Sequence, residues 1–176
     1  MKLLLHICCG PCAVYPVKEL RSGGAEVTGF FFNHNIHPYT EFRARRNAVR
    51  EYAGMIELEV IYRNEYLLEE FLANVAGNPQ SRCGYCYRSR LEETAKTAAE
   101  LGFPAFSSTL LYSRYQNHDL IREFGEKLGE HYGVKFHYDD FRRGWQDGID
   151  LSKEMGLYRQ KYCGCIYSEK DRYVRK

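Results

Sequence analysis

Apolar positions along this chain fall into short runs with the twofold period of strands, separated by longer stretches with the period of helices. Lys2 to Ile7 predicts a strand. Pro11 to Ser22 predicts a helix with proline in its first turn and Gly23-Gly24 as its stop. Glu26 to Phe32 predicts a buried strand, followed by the loop Asn33 to Pro38, and Thr40 is placed to cap a long helix running to about Gly54. Glu57 to Tyr62 predicts a third strand, and a helix runs from Asn64 to about Val75. After the loop Ala76 to Arg82, a helix begins at Cys83 and ends at Gly102. Pro104 to Leu110 and Val134 to Tyr138 predict two more strands. Helices from Gln116 to Tyr132 and from Trp145 to Met155 complete the pattern, ahead of a cysteine-bearing tail.

Strands that alternate with helices predict an α/β fold: a single domain over residues 1–176, with a parallel sheet of about five strands and helices on both faces. Such sheets bind ligands beyond the carboxyl ends of their strands, where strand order reverses. Four segments can meet at that rim: the first cysteines after strand one, Asn33 to Pro38 after strand two, Tyr112 to Asn117 after strand four, and Asp139 to Arg142 after strand five.

Composition narrows the function classes. A chain of 176 residues that is 44% apolar and 27% charged has ordinary globular content, which fits one core and excludes a disordered chain. The net charge of +2 excludes a strongly basic nucleic-acid binder, so any contact with nucleic acid is a local patch. Fifteen tyrosines offer surface suited to stacking and to polar pockets. The apolar start is too short for a signal peptide and no stretch approaches a membrane span, so a cytoplasmic location without membrane association is expected.

The seven cysteines carry the clearest chemistry. They stand in three groups: Cys8, Cys9 and Cys12; Cys83 and Cys86; Cys163 and Cys165. In a reducing compartment such groups signify metal binding or catalysis rather than disulfides. Short spacings let thiolates converge on one centre, and the neighbouring glycines let the backbone turn. Cys9-Gly-Pro-Cys12 has the letters of a dithiol redox motif, but no strand and helix precede it and five cysteines would be left over. Cys9, Cys12, Cys83 and Cys86 could make a four-cysteine zinc site, leaving three idle. An iron–sulfur centre is favoured by the total number of thiols rather than by any one spacing.

Other residues give weaker signals. His6 lies inside strand one and reads as a core or supporting residue. His37 lies on a rim loop, and Asp140 sits in the rim segment Asp-Phe-Arg142; either could deliver a proton. His118 and Asp119 fit a first helical turn. Arg43, Arg46 and Arg50 share a helix face, with Arg45 nearby, and Lys170, Arg172, Arg175 and Lys176 form a second basic group. Each is a solvated face unless the substrate is a nucleic acid.

These segments resemble one family closely, the cobalamin-independent epoxyqueuosine reductases. The resemblance rests on Leu5 to Cys12, Asn35-Ile-His-Pro38, Arg82 to Arg88, Ser108 to Ser113, Tyr115-Gln-Asn117, Asp140-Phe-Arg142 and Gly156 to Cys165, which run nearly end to end. One departure is His34, where a proline is expected in many relatives. The resemblance implies an adenine-nucleotide-hydrolase-like (HUP-type) fold in which cysteines replace the phosphate-cradling glycines. It implies a [4Fe-4S] cluster beside a separate mononuclear iron, with all seven cysteines as ligands. It also implies the last step of queuosine biosynthesis: reductive removal of the epoxide oxygen of epoxyqueuosine at the wobble position of tRNA. That removal takes two electrons and two protons. A ferredoxin- or flavodoxin-type donor would supply the electrons, and Asp140 or His37 a proton. Asn35, Tyr39, Arg43, Arg46, Arg50, Gln116, Asn117 and Arg142 would contact the substrate or its tRNA.

Overall fold

A computed structural model of the chain describes residues 1–174. Five strands, β1 (Lys2–His6), β2 (Glu26–Phe31), β3 (Val60–Tyr62), β4 (Ala105–Ser108) and β5 (Lys135–Phe136), form one parallel sheet in the order β3-β2-β1-β4-β5. Seven α-helices accompany them among the described residues: α1 (Gly10–Ser22), α2 (Tyr39–Met55), α3 (Leu68–Val75), α4 (Arg82–Glu100), α5 (His118–Tyr132), α6 (Trp145–Glu154) and α7 (Ile166–Tyr173). The helix α1 packs on α2 and α6, whereas α4 packs on α5, so the sheet is covered on both faces. This is the α/β architecture expected from the alternation, and no described helix is long and apolar enough to cross a membrane.

Because both faces are covered, the middle of the central strand is an unbroken apolar run: Leu3, Leu4 and Leu5 are fully buried, as are Phe30 and Phe106 on the flanking strands. Strand order reverses between β1 and β4, and the chain leaves both strands at the same rim. His6 holds that rim closed. Its Nδ1 lies 2.9 Å from Ser108 Oγ at the end of β4, and its Nε2 lies 3.0 Å from the Phe32 carbonyl beyond β2. With Nε2 donating to the carbonyl, Nδ1 accepts from the serine hydroxyl, and the ring is neutral.

Several element ends differ from the sequence pattern. Pro38, not Thr40, stands at the N-cap of α2. Residues 57–59 precede β3 as a loop, with Glu57 at a φ of 51°. Thr109 to Tyr112 leave the strand as a 3₁₀ turn because the Ser108 side chain accepts the Leu110 N–H. The cysteine tail is not a tail: it folds back and ends in α7. Arg175 and Lys176 of the second basic group lie outside the described residues.

Burial holds His6 at a pKa of about 4, with the Arg90 charge adding, and burial likewise lowers His34 to about 3. Both lie below the 6.5 of a free imidazole, so as pH falls the unfolded chain takes up protons first. The stability these rings contribute is complete above that value and is lost progressively below it. Unfolding free energy of chelator-treated protein should therefore fall between pH 7.5 and pH 5, by on the order of 2 kcal/mol from His6 alone. Urea unfolding at the two pH values checks this; a midpoint that does not move would show that the imidazoles protonate in place.

Candidate metal centre and substrate cleft

Each cysteine group stands at the beginning of a helix. Cys9 is the N-cap of α1 and Cys12 lies in its first turn; Cys83 opens α4; Cys165 caps α7, where its Sγ accepts the Ser168 N–H at 3.4 Å. Unpaired amides and the positive end of the helix dipole favour thiolates at such positions. All seven cysteines are free.

The sulfurs of Cys8, Cys9 and Cys12 lie within 4.8 Å of one another at the point where strand order reverses. The Cys8 amide donates to Thr109 Oγ1 at 3.2 Å, and the Thr109 hydroxyl reaches Cys8 Sγ at 3.5 Å, which fixes the group to the end of β4. Hydrogen bonding from Cys12 and Cys9 holds the Cys8 thiol well below its ordinary pKa. The same bonding pushes Cys12 up, and burial pushes Cys9 up. Three buried sulfurs this close cannot all be charged without a cation among them, which is the donor set of a metal site.

Cys83, Cys86, Cys163 and Cys165 form the second group. Cys86 and Cys165 are buried together in a small apolar cluster with Phe71 and Val75. Burial pushes the Cys86 thiol up to about 12, and the neighbouring charges of Cys165, Cys163 and Cys83 add to it; burial and then the Cys163 charge raise Cys83. Cys163 and Cys165 both act electrostatically on Cys83 and Cys86, which places the four thiols as neighbours.

The chain's end is brought to this place by Arg45, a fully buried arginine on α2. Its Nε pairs with Glu41 at 2.8 Å, while Nη1 donates to the Cys163 carbonyl at 2.6 Å and Nη2 to the Tyr162 carbonyl at 2.8 Å. His37 adds a second tie: its amide donates to the Gly164 carbonyl at 2.8 Å, and its Nδ1 accepts the Ile166 N–H at 3.1 Å. Gly164 lets the turn pack closely here, since a Cβ would stand 3.0 Å from the Asn35 carbonyl oxygen and 3.4 Å from Arg45 Nη1. Arg82 closes the arrangement from α4 by pairing with Asp171 on α7 at 2.6 Å.

A cleft of about 790 Å³ opens over the sulfurs of Cys8, Cys12 and Cys163. Two amides point at its thiols: Gln116 Nε2 lies 3.6 Å from Cys163 Sγ, and Gln160 Nε2 lies 3.5 Å from Cys12 Sγ. Gln116 is itself held by the Tyr87 hydroxyl at 2.7 Å. Arg90 lines the cleft, buried, with its Nε on the Cys86 carbonyl at 3.0 Å and no carboxylate partner among the described residues. Its positive charge lowers both Cys83 and Cys86.

The structure brings all seven cysteines and Gln116 to one rim but redirects several expected roles. His37 is buried with both ring nitrogens occupied, Nε2 donating to the His34 carbonyl at 2.9 Å, so it braces the loop and has no atom free for a proton transfer. Asp140 is gripped by Arg142 at 2.6 and 2.8 Å; that hydrogen bonding holds its carboxyl at a pKa of about 2, so it carries no proton at neutral pH. Arg142 is thereby committed to Asp140. Asn117 caps α5, its side chain accepting the Leu120 N–H at 3.1 Å. Asn35 is buried under Gly164. Tyr39 is exposed and rests on Phe42 and Tyr66. Arg43 and Arg50 are exposed, Arg50 over the Tyr62 ring; Arg46 is half-buried over Phe42. None of the three lines the cleft.

Comparison with known proteins decides the family. The sequence profile described as "Epoxyqueuosine reductase QueH" matches residues 3–171. The chain belongs to the QueH family of epoxyqueuosine reductases. It is an oxidoreductase. The QueH of Dehalococcoides mccartyi is 39% identical over 172 residues, covering 98% of this chain and 94% of that protein. That of Thermotoga maritima is 39% identical over 176 residues, covering 94% and 89%. That of Streptococcus pyogenes is 32% identical, covering 96% and 70%. Among solved structures, a predicted subunit of a tRNA methyltransferase from Methanocaldococcus jannaschii superposes with a TM-score of 0.57 at 14% identity, over 88% of this chain and 75% of that one. That likeness shows a shared α/β fold alone.

Arg45→Met should detach the third cysteine group. Removing one member of a buried ion pair typically destabilises by about 3 kcal/mol, here with two carbonyls also losing their donor. The expected result is a lower melting temperature, faster proteolysis after α6 and reduced metal content with the central sheet retained, measured by calorimetry, limited proteolysis and metal analysis. Unchanged metal content would show that Cys163 and Cys165 are held without the clamp.

Proposed function

We propose that this chain deoxygenates epoxyqueuosine to queuosine at the wobble position of tRNA, without cobalamin. The observation that carries the reading is the convergence of Cys8, Cys12 and Cys163 on one cleft, with Cys83 and Cys86 near Cys163, in a chain that matches the QueH family over residues 3–171.

The donor set fits the implied metals. Cys8, Cys9 and Cys12 would hold a single iron, three close thiols leaving a coordination position open toward the cleft. Cys83, Cys86, Cys163 and Cys165, four in number, would hold a [4Fe-4S] cluster. When bound, these groups would relay electrons one at a time from the external donor and supply an electron-pair acceptor for the epoxide oxygen.

The protein's residues prepare that chemistry. Gln116 and Gln160 donate N–H groups toward the sulfurs of Cys163 and Cys12, which tempers thiolate charge. Arg90 adds a buried positive charge beside the four-thiol group, which favours the reduced, more negative state. Among the described residues Asp171 is the one carboxylate lining the cleft, and it is tied to Arg82. Neither Asp140 nor His37 lines the cleft, so a proton for the leaving oxygen comes from another group there, such as Lys161, or from water entering the cleft. Cys83 and Cys163 are exposed, giving a ferredoxin- or flavodoxin-type donor an edge at which to deliver electrons. The exposed Arg43 and Arg50, with Arg46 between them, would meet tRNA phosphates outside the cleft.

Anaerobically purified, chemically reduced protein incubated with tRNA carrying epoxyqueuosine should yield a nucleoside lighter by one oxygen, read by mass spectrometry after digestion. Cys12→Ser and Cys163→Ser should each abolish conversion. Absence of product with wild-type protein of verified iron content and a strong reductant would defeat the proposal.

A further inference from the structure

We propose that Tyr115, Trp145 and Arg114 form a base-stacking platform at the mouth of the cysteine cleft, which takes an unpaired nucleobase of a single-stranded RNA loop. The inference rests on the tRNA reading above and assigns that substrate a docking site.

The platform is the outer end of a column of rings. Tyr15 stacks on Tyr112 with centroids 6.4 Å apart and planes 29° from parallel; Tyr112 stacks on Trp145 at 5.1 Å and 28°. The Tyr112 hydroxyl donates to the Trp145 carbonyl at 2.8 Å, and Gly148 makes room for it, since a Cβ there would stand 2.3 Å from that hydroxyl. Trp145 is thus fixed from behind. Tyr115 meets it edge-on at 5.7 Å and 79°, and the Arg114 guanidinium lies 5.6 Å from the Trp145 ring centre. Tyr115 is 85% exposed, more than any other large apolar side chain among the described residues. One exposed tyrosine is ordinary. One backed by a rigid three-ring column, bordering a reactive cleft, is a surface made for contact.

Position and charge identify the occupant. Tyr115 and Trp145 both line the cleft, and the next residue, Gln116, reaches Cys163 Sγ at 3.6 Å. A ring held on Tyr115 therefore lies in the same cleft as the sulfurs of Cys8, Cys12 and Cys163. The cleft is also lined by Arg90, Arg159, Lys161 and Arg172 against the single carboxylate Asp171, although the whole chain carries only +2. A protein interface would favour an apolar patch depleted of charge around such a ring. A flat aromatic face among cations matches single-stranded RNA, whose bases stack while its phosphates follow the positive groove. The wobble nucleotide must leave the loop's stack to reach the sulfurs, and the platform replaces the stacking that its neighbour loses.

The test measures anisotropy of a labelled anticodon stem-loop RNA titrated with the iron-loaded protein at fixed salt. Tyr115→Ala should weaken binding about tenfold, Arg114→Ala less, and Tyr115→Phe should stay within about twofold, because stacking needs the ring and not the hydroxyl. Iron content should be unchanged in all three. Trp145 is the only tryptophan, so its fluorescence should change on RNA addition. Wild-type affinity in Tyr115→Ala overturns the platform, as does an effect confined to electron delivery from a flavodoxin-type carrier. If wild-type protein binds RNA in this Tyr115-dependent way yet converts no epoxyqueuosine, the platform stands and the proposed reaction fails.

Discussion

The buried guanidinium of Arg45 joins helix α2 to the carbonyls of Tyr162 and Cys163, residues 117 and 118 positions further along the chain. The sheet places the first cysteine group at the rim without help, because β1 ends there. α4 brings the second. The third belongs to a segment with no strand of its own; it is held at the rim by this charged donor to its carbonyls, by the His37 ties and by the Arg82–Asp171 pair. Burying that charge requires a partner, and Glu41 provides it one helical turn away. The conformation of the Cys-Gly-Cys turn then follows from the lack of a Cβ at Gly164.

The electrostatics of the rim are built around anions. Three helix beginnings, the buried Arg90 and amides from Gln116 and Gln160 all face sulfur. Each favours thiolate, against the burial and mutual repulsion that push Cys9, Cys12, Cys83 and Cys86 up and that a bound cation would offset. The nearby histidines are kept out of this balance. His6, His34 and His37 are buried, their pKa values lowered by that burial. Each has a hydrogen-bonding role in the loops, His34 through Ser89 Oγ at 2.6 Å.

Most of the fold was legible in the sequence because its strands and helices follow strict periods and end at glycines. The cysteine groups were legible as groups, since spacing survives folding. What was hidden depended on direction. Phe42, Arg45, Val49 and Tyr52 form one buried stripe of α2, and an arginine among three apolar residues at helical spacing was a signal of burial, masked by the exposed Arg43, Arg46 and Arg50 beside it. Asp140 and His37 resembled rim acids, but their partners, Arg142 and the Ile166 amide, become visible only in three dimensions. The helix α7 was missed because it is short, charged and without apolar periodicity; its start is set by the Cys165 cap rather than by composition.

The central claim is that two distinct thiol groups, one of three and one of four, hold two distinct iron centres. Mössbauer spectroscopy of anaerobically purified, iron-57-enriched protein, combined with sulfide analysis, tests it most directly. The account predicts iron and acid-labile sulfide in a ratio near about 5:4, with one spectral component separate from the cluster. Stoichiometric zinc without sulfide, or a single homogeneous iron component that Cys9→Ser and Cys86→Ser diminish equally, would contradict it.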